Sequence, residues 1–127
     1  MSLNMRLVRG ALVLAVAVSL TAVTTGAASA WQSTSCSVQY DFGGPTSCKT
    51  GTIRSNGYYH RINYTMCAAP GHYADWQIKD ADNGVIVGQG RVQNGVCDHN
   101  TIRGLYGAYW GWVFNTRRYA SAYLDNQ

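Results

Sequence analysis

The chain contains no glutamate; all six of its acidic residues are aspartate. An EF-hand calcium loop closes with a bidentate Glu, so Asp80-Ala81-Asp82-Asn83-Gly84, which resembles the start of such a loop, reads instead as a solvated turn. Asp80 and Asp82 are also the only closely spaced acids, and two carboxylates in one turn do not face each other across a glycosidic bond. No Cys-x-x-Cys spacing occurs, which argues against zinc as the use of the four cysteines. His60, His72 and His99 fall in three separate segments with no neighbouring His to share a metal or a proton. There is no Gly-x-Ser-x-Gly elbow, and no thiol is left over if every Cys is bridged. Apart from Arg117-Arg118 the cations are scattered, so no continuous stripe follows a phosphate backbone, and nucleic acid is not an expected partner. The expectation is a protein without catalytic residues, metal or cofactor.

Long apolar runs are missing too, with one exception. Residues 11–23 are almost wholly apolar, follow Arg6 and Arg9, and precede Gly26-Ala27-Ala28-Ser29-Ala30. These are the three regions of a secretory signal peptide, and Ala28-Ser29-Ala30 fits the small-x-small rule of signal peptidase. The run is shorter than the roughly 20 residues of a membrane-spanning helix, and no positively charged stop-transfer cluster follows it. We therefore expect cleavage after Ala30, secretion, no membrane insertion afterwards, and a mature domain over 31–127 that begins at Trp31. The Ala-rich signal is compact, as in bacteria. Without Arg6 and Arg9 the ten cationic residues become eight against six aspartates, a net charge of about +2.

A domain of this size gains modest stability from its core alone, and covalent staples are common. All four cysteines lie in it, and an even count in an exported chain reads as two disulfides with three possible connectivities. Sequential pairing, Cys36–Cys48 and Cys67–Cys97, closes one tight hairpin and one longer excursion, and is the arrangement we favour. No segment has a helical period. Short runs rich in Tyr, Val, Ile, Thr and Trp recur at 37–42, 50–54, 58–66, 73–79, 85–93, 100–103, 108–115 and 119–125. Between them lie Gly43-Gly44-Pro45, Asn56-Gly57, Pro70-Gly71, Asp82-Asn83-Gly84 and Asn94-Gly95, which tolerate or pre-set turn geometry. The fold class is all-β, a small antiparallel β-sandwich of about seven strands with two disulfides, the short 100–103 run being a connection. Alternation along 73–79 turns Trp76 towards the core.

The mature chain carries four Trp, nine Tyr and two Phe. Residues 101–115 are the most unusual stretch, because aromatics occupy both faces. Trp110, Trp112 and Phe114 share one parity; Tyr109, Gly111 and Val113 share the other. One set is core, and the other meets solvent or a ligand. A rigid scaffold dressed in Tyr and Trp suits recognition of a protein or a sugar surface.

Cys36, Cys48, Cys67 and Cys97, with Tyr40 four residues after the first and Ala69-Pro70-Gly71 just after the third, resemble the tendamistat-type α-amylase inhibitors, which are secreted bacterial β-sandwiches. The resemblance implies the same sequential pairing, and blockade of a large hydrolase by a loop inside the first disulfide. That family presents a Trp-Arg-Tyr triplet there, where this chain reads Tyr40-Asp41-Phe42-Gly43-Gly44-Pro45, so no inhibitory residue carries over. The resemblance spans Cys36 to Cys97 and leaves residues 98–127 uncovered.

The leading expectation is a secreted, non-enzymatic binding protein acting on another secreted protein, as a hydrolase inhibitor or an adaptor subunit of a secreted complex. Its candidate surfaces are the stapled loop with Tyr40, Asp41 and Phe42, and a polar arm over 31–35 that carries Trp31 and is left free to dock. The alternative is a carbohydrate-binding module that stacks a polysaccharide on Tyr109, Trp110 or Trp112. A small antimicrobial toxin is a third class, disfavoured by the mild charge and the lack of an amphipathic helix.

Overall fold

The computed structural model of the protein describes residues 31–41 and 43–127. The expected signal segment 1–30 and the candidate binding residue Phe42 lie outside the described residues. Among those described there are nine strands and no helix: β1(Ser33–Ser37), β2(Cys48–Lys49), β3(Ile53–Arg54), β4(Arg61–Cys67), β5(Tyr73–Asp80), β6(Ile86–Gln93), β7(Cys97–Arg103), β8(Ala108–Phe114) and β9(Ser121–Asp125). Two antiparallel sheets form, one in the order β1-β9-β4-β7 and the other β2-β8-β5-β6, with β3 also on β8. Most connections cross from one sheet to the other, and the last two strands occupy interior positions, β8 between β2 and β5, β9 between β1 and β4. Residues 98–127, which the cysteine pattern says nothing about, thus supply the middle of both sheets.

Alternation builds the core directly. Ile62, Tyr64 and Met66 of β4, Ala74, Trp76 and Ile78 of β5, and Ala122 and Leu124 of β9 are all buried, while their neighbours are half-exposed or exposed. Trp76 points inward as the sequence pattern requires. Its indole presses on β6, which has Gly88 and Gly90 opposite; a Cβ at Gly90 would stand 3.0 Å from Cε2, Cζ2 and Nε1 of the ring. A rigid indole cannot retreat from such a contact. Gly90→Ala is therefore expected to lower the unfolding free energy by about 1–2 kcal/mol. Gly88→Ala should cost less, because its nearest obstacle is the swinging tip of Ile102. Urea unfolding of the two variants checks the order, and equal midpoints would show that the ring adjusts freely.

Both disulfides are present in sequential pairing, Cys36–Cys48 and Cys67–Cys97. They do different work. The first joins β1 to β2 and so ties one sheet to the other; the second joins directly opposed residues of β4 and β7 in a single sheet. Two such bonds point to an oxidising, extracellular environment.

Three sequence expectations are corrected. The first strand is Ser33–Ser37 rather than 37–42: Thr34 and Cys36 are its half-buried members, and a polar run of Ser and Thr carries a weak strand signature. The run 100–103 is not a connection but the end of the seven-residue edge strand β7, paired along its length with β4 and locked by the Thr65–His99 (2.7 Å) and Thr101–Asn63 (2.6 Å) hydrogen bonds. The expected strand 50–54 is broken, which makes two short strands of one edge. Thr50 spends its hydroxyl on the Gly111 N–H (2.8 Å), and the Gly51 N–H turns to Thr34 Oγ1 (2.8 Å) in the opposite sheet.

Candidate functional site

On β8 the inward set is Tyr109, Gly111 and Val113. Met66 and Leu124 fill the space beside Gly111 where a side chain would stand. The Tyr109 hydroxyl accepts the backbone N–H groups of Tyr106 and Gly107, both at 3.2 Å, and so holds the turn leading into its own strand. Tyr109 is a core residue, which corrects its place among the expected binding residues.

Trp110, Trp112 and Phe114 face outward, yet they do not form a bare platform. All three are half-buried. Trp112 stacks on Phe114, with ring centroids 4.1 Å apart. Lys49 lies opposite Trp112 on β2, and Lys79 lies opposite Trp110 on β5. The Lys49 ammonium is 5.2 Å from the Trp110 ring centre and 5.4 Å from that of Trp112; Lys79 sits at 5.6 and 5.5 Å. The result is a ladder in which lysine stems shield the indoles and the charged ends lie over the rings. On the adjoining row Asp75 is bound by Arg91 (2.6 Å) and Asn115 (3.0 Å). The Arg91 hydrogen bond is the main cause holding the Asp75 carboxyl below its usual range.

The stapled loop is docked rather than free. Tyr40 is 53% exposed and lays its ring over Gly44, where a Cβ would collide with it. The Asp41 carbonyl accepts from Arg117 (3.2 Å) and its carboxylate from the Arg118 N–H (3.1 Å). A groove of about 490 Å³ runs behind the loop, past His72 and Asn115.

The arm is also not free, a second correction. Residues 33–37 pair with β9, and Gln32 is clamped between Asn126, which takes its N–H at 2.6 Å, and Arg54, whose N–H it accepts at 2.8 Å. A hydrogen-bonding Gln and a sheet edge with open backbone groups explain the docking. Trp31 alone projects, 71% exposed.

Trp31 stands beside a groove of about 580 Å³ whose walls include Arg54, Asn56, His60 and Tyr106. The floor is fixed by side-chain hydrogen bonds: Asn56 donates to the Asn126 carbonyl (2.8 Å) and Asn126 to the Arg54 carbonyl (2.9 Å). Asn56 also accepts the N–H groups of Tyr58 (2.8 Å) and Tyr59 (2.7 Å), which sets the turn. His60 closes it at a φ of 50°, a left-handed conformation uncommon for a residue with a side chain, and stacks on Tyr106 with centroids 4.3 Å apart. Tyr58 and Tyr106 are 78% and 76% exposed. Of this end only Trp31 is among the expected binding residues; Tyr58 and His60 are missed because 58–66 reads as one strand, and Tyr106 because it falls outside the expected strands. The available signal was three consecutive ring-bearing residues directly after Asn56-Gly57.

The three histidines remain apart, and Asp80 accepts the Asp82 N–H at 2.8 Å as part of its turn. Among the described residues no cluster of His, Cys and Asp is placed to hold a metal ion, and no helix is long and apolar enough to cross a membrane. The chain matches no protein-family model, and no curated protein is significantly similar to it.

Proposed function

We propose that this is a secreted, non-enzymatic binding protein that docks another secreted protein through the Trp31, Tyr58, His60 and Tyr106 end of its sandwich, as a hydrolase inhibitor or an adaptor subunit. The observation that carries this reading is three aromatic side chains left 71–78% exposed, Trp31 and Tyr106 on a groove with a hydrogen-bonded floor and Tyr58 on the turn held by Asn56. Exposed rings on a scaffold that cannot relax are what protein interfaces use as anchors, since little conformational freedom is lost when they are buried. The left-handed backbone at His60 adds to this, because strain is retained at sites whose geometry matters. Secretion agrees with the two disulfides and with the signal-like leader. A neutral-sugar platform on Trp110 and Trp112 has less support, because lysines cover those rings.

The test is a capture experiment from the secreted proteins of the producing cells, with the oxidised 31–127 domain as bait. A Trp31→Ala/Tyr106→Ala variant should hold its specific partner at least about 30-fold more weakly, as expected for loss of an anchoring aromatic. A Trp110→Ala variant should hold it unchanged. Undiminished capture by the double variant would overturn the assignment of this surface.

A further inference from the structure

We propose that the outer face of the β2-β8-β5-β6 sheet binds an acidic polysaccharide, with Lys49 and Lys79 taking its carboxylate groups across the Trp110–Trp112 rungs. This site is separate from the Trp31 end and does not depend on it.

The two lysines stand on strands either side of β8 and two residues apart along it, so their backbones are about 12 Å apart. Both ammoniums nevertheless reach the same pair of indoles, each within 5.2–5.6 Å of both ring centres. Two like charges drawn to one slot repel each other, and ring faces offset that in part. A carboxylate would offset more of it, and neither lysine has one among the described residues. The nearest acid on this face, Asp75, is committed to Arg91 and Asn115. Lys49 and Lys79 offer donors and positive charge, which selects a ligand rich in acceptors and negative charge. Gln77 and Gln89 continue the Trp112 row across β5 and β6 and supply amides for hydroxyl groups.

The face is an open row of strands rather than a closed cavity, which suits an extended ligand. An extended chain with a charge on each sugar can lie across the rows, and ring edges between the ammoniums pack against its C–H faces. A nucleic acid has the charge as well, but the described surface lacks the run of cations that follows a phosphate backbone.

The test uses the oxidised domain titrated calorimetrically at low salt with polygalacturonate, fully methyl-esterified polygalacturonate and single-stranded DNA. Saturable binding is expected for the acid form alone, weakening as salt rises. Lys49→Gln/Lys79→Gln should lose about tenfold in affinity for each lysine. The control is Arg61→Gln/Arg103→Gln, which removes the same charge from cross-strand neighbours in the other sheet. It should bind as the unaltered domain does, and near-UV circular dichroism shows whether both variants keep their packing. Equal loss in the two double variants would reduce the effect to general charge attraction and overturn the site. So would binding of the methyl ester, equal or tighter binding of the DNA, or no binding of the acid. Success here with failure of the capture experiment would leave the polysaccharide site standing and remove the protein-docking end.

Discussion

Replacing Trp76 with alanine is expected to lower the unfolding free energy of the domain by about 4 kcal/mol. The side chain is 3% exposed and sits in the interior of its sheet, against Tyr64 (ring centroids 4.7 Å apart) and over the two glycines of β6. Gly88 and Gly90 leave β6 with no side chain on that face to fill the space. Most small domains have a total stability of about 5–15 kcal/mol, so the loss takes between about a quarter and four-fifths of it. Trp76→Phe should be far milder. The indole Nε1–H is buried without a partner, so phenylalanine removes an orphaned donor while keeping most of the ring. Guanidinium unfolding of the two variants checks the contrast; a loss as large for Phe as for Ala would mean that the indole donor is satisfied in solution.

The second large effect concerns the disulfides. The Cys67–Cys97 bond closes a separation of 30 residues and Cys36–Cys48 one of 12. Chain entropy alone assigns them about 3.5 and 3 kcal/mol. The consequences for the folded state should differ more than these values do. Cys67 and Cys97 lie in a ladder of seven paired residues, which holds the strands together when the bond is gone. Cys36–Cys48 anchors β2, a two-residue strand, and with it the loop that carries Tyr40 and Asp41. Cys36→Ala/Cys48→Ala should therefore expose 38–47 to proteolysis and rapid amide exchange with the rest of the sandwich protected. Cys67→Ala/Cys97→Ala should lower the melting temperature without local opening. Reduction of both bonds should unfold the domain at 37 °C. Uniform exchange in the first variant would contradict the anchoring role.

Much of the architecture is legible in local pattern. Alternation gives the inward residues of 73–79 and 119–125 because a pleated strand repeats every two residues, whatever it pairs with. The turn residues mark the crossings, and Asn94 and Gly95 both take left-handed φ values (54° and 71°) at one of them. What local pattern misses has equally local causes. Ser33–Ser37 is too polar to register as a strand, and Asn56-Gly57 begins a turn that runs on to His60, so Tyr58 and His60 read as part of a strand.

Two of the six aspartates are engaged beside the candidate surfaces, Asp75 by the Arg91 guanidinium and the Asp41 carboxylate by the Arg118 N–H. By itself the sequence determined the all-β class and the inward aim of Trp76, because each follows from short-range periodicity, and it favoured the sequential cysteine pairing that the structure shows. The tertiary structure decided which face of β8 is core. Both parities there carry aromatics, so the strand is degenerate on its own, and the choice is made by Met66 and Leu124 of the facing sheet, which need the gap that Gly111 leaves. That choice buries Tyr109, turns Trp110 and Trp112 outward beneath two lysines from neighbouring strands, and brings Trp31 to Tyr106 across an end of the sandwich. Each is a contact between residues distant in the chain, which no local pattern encodes.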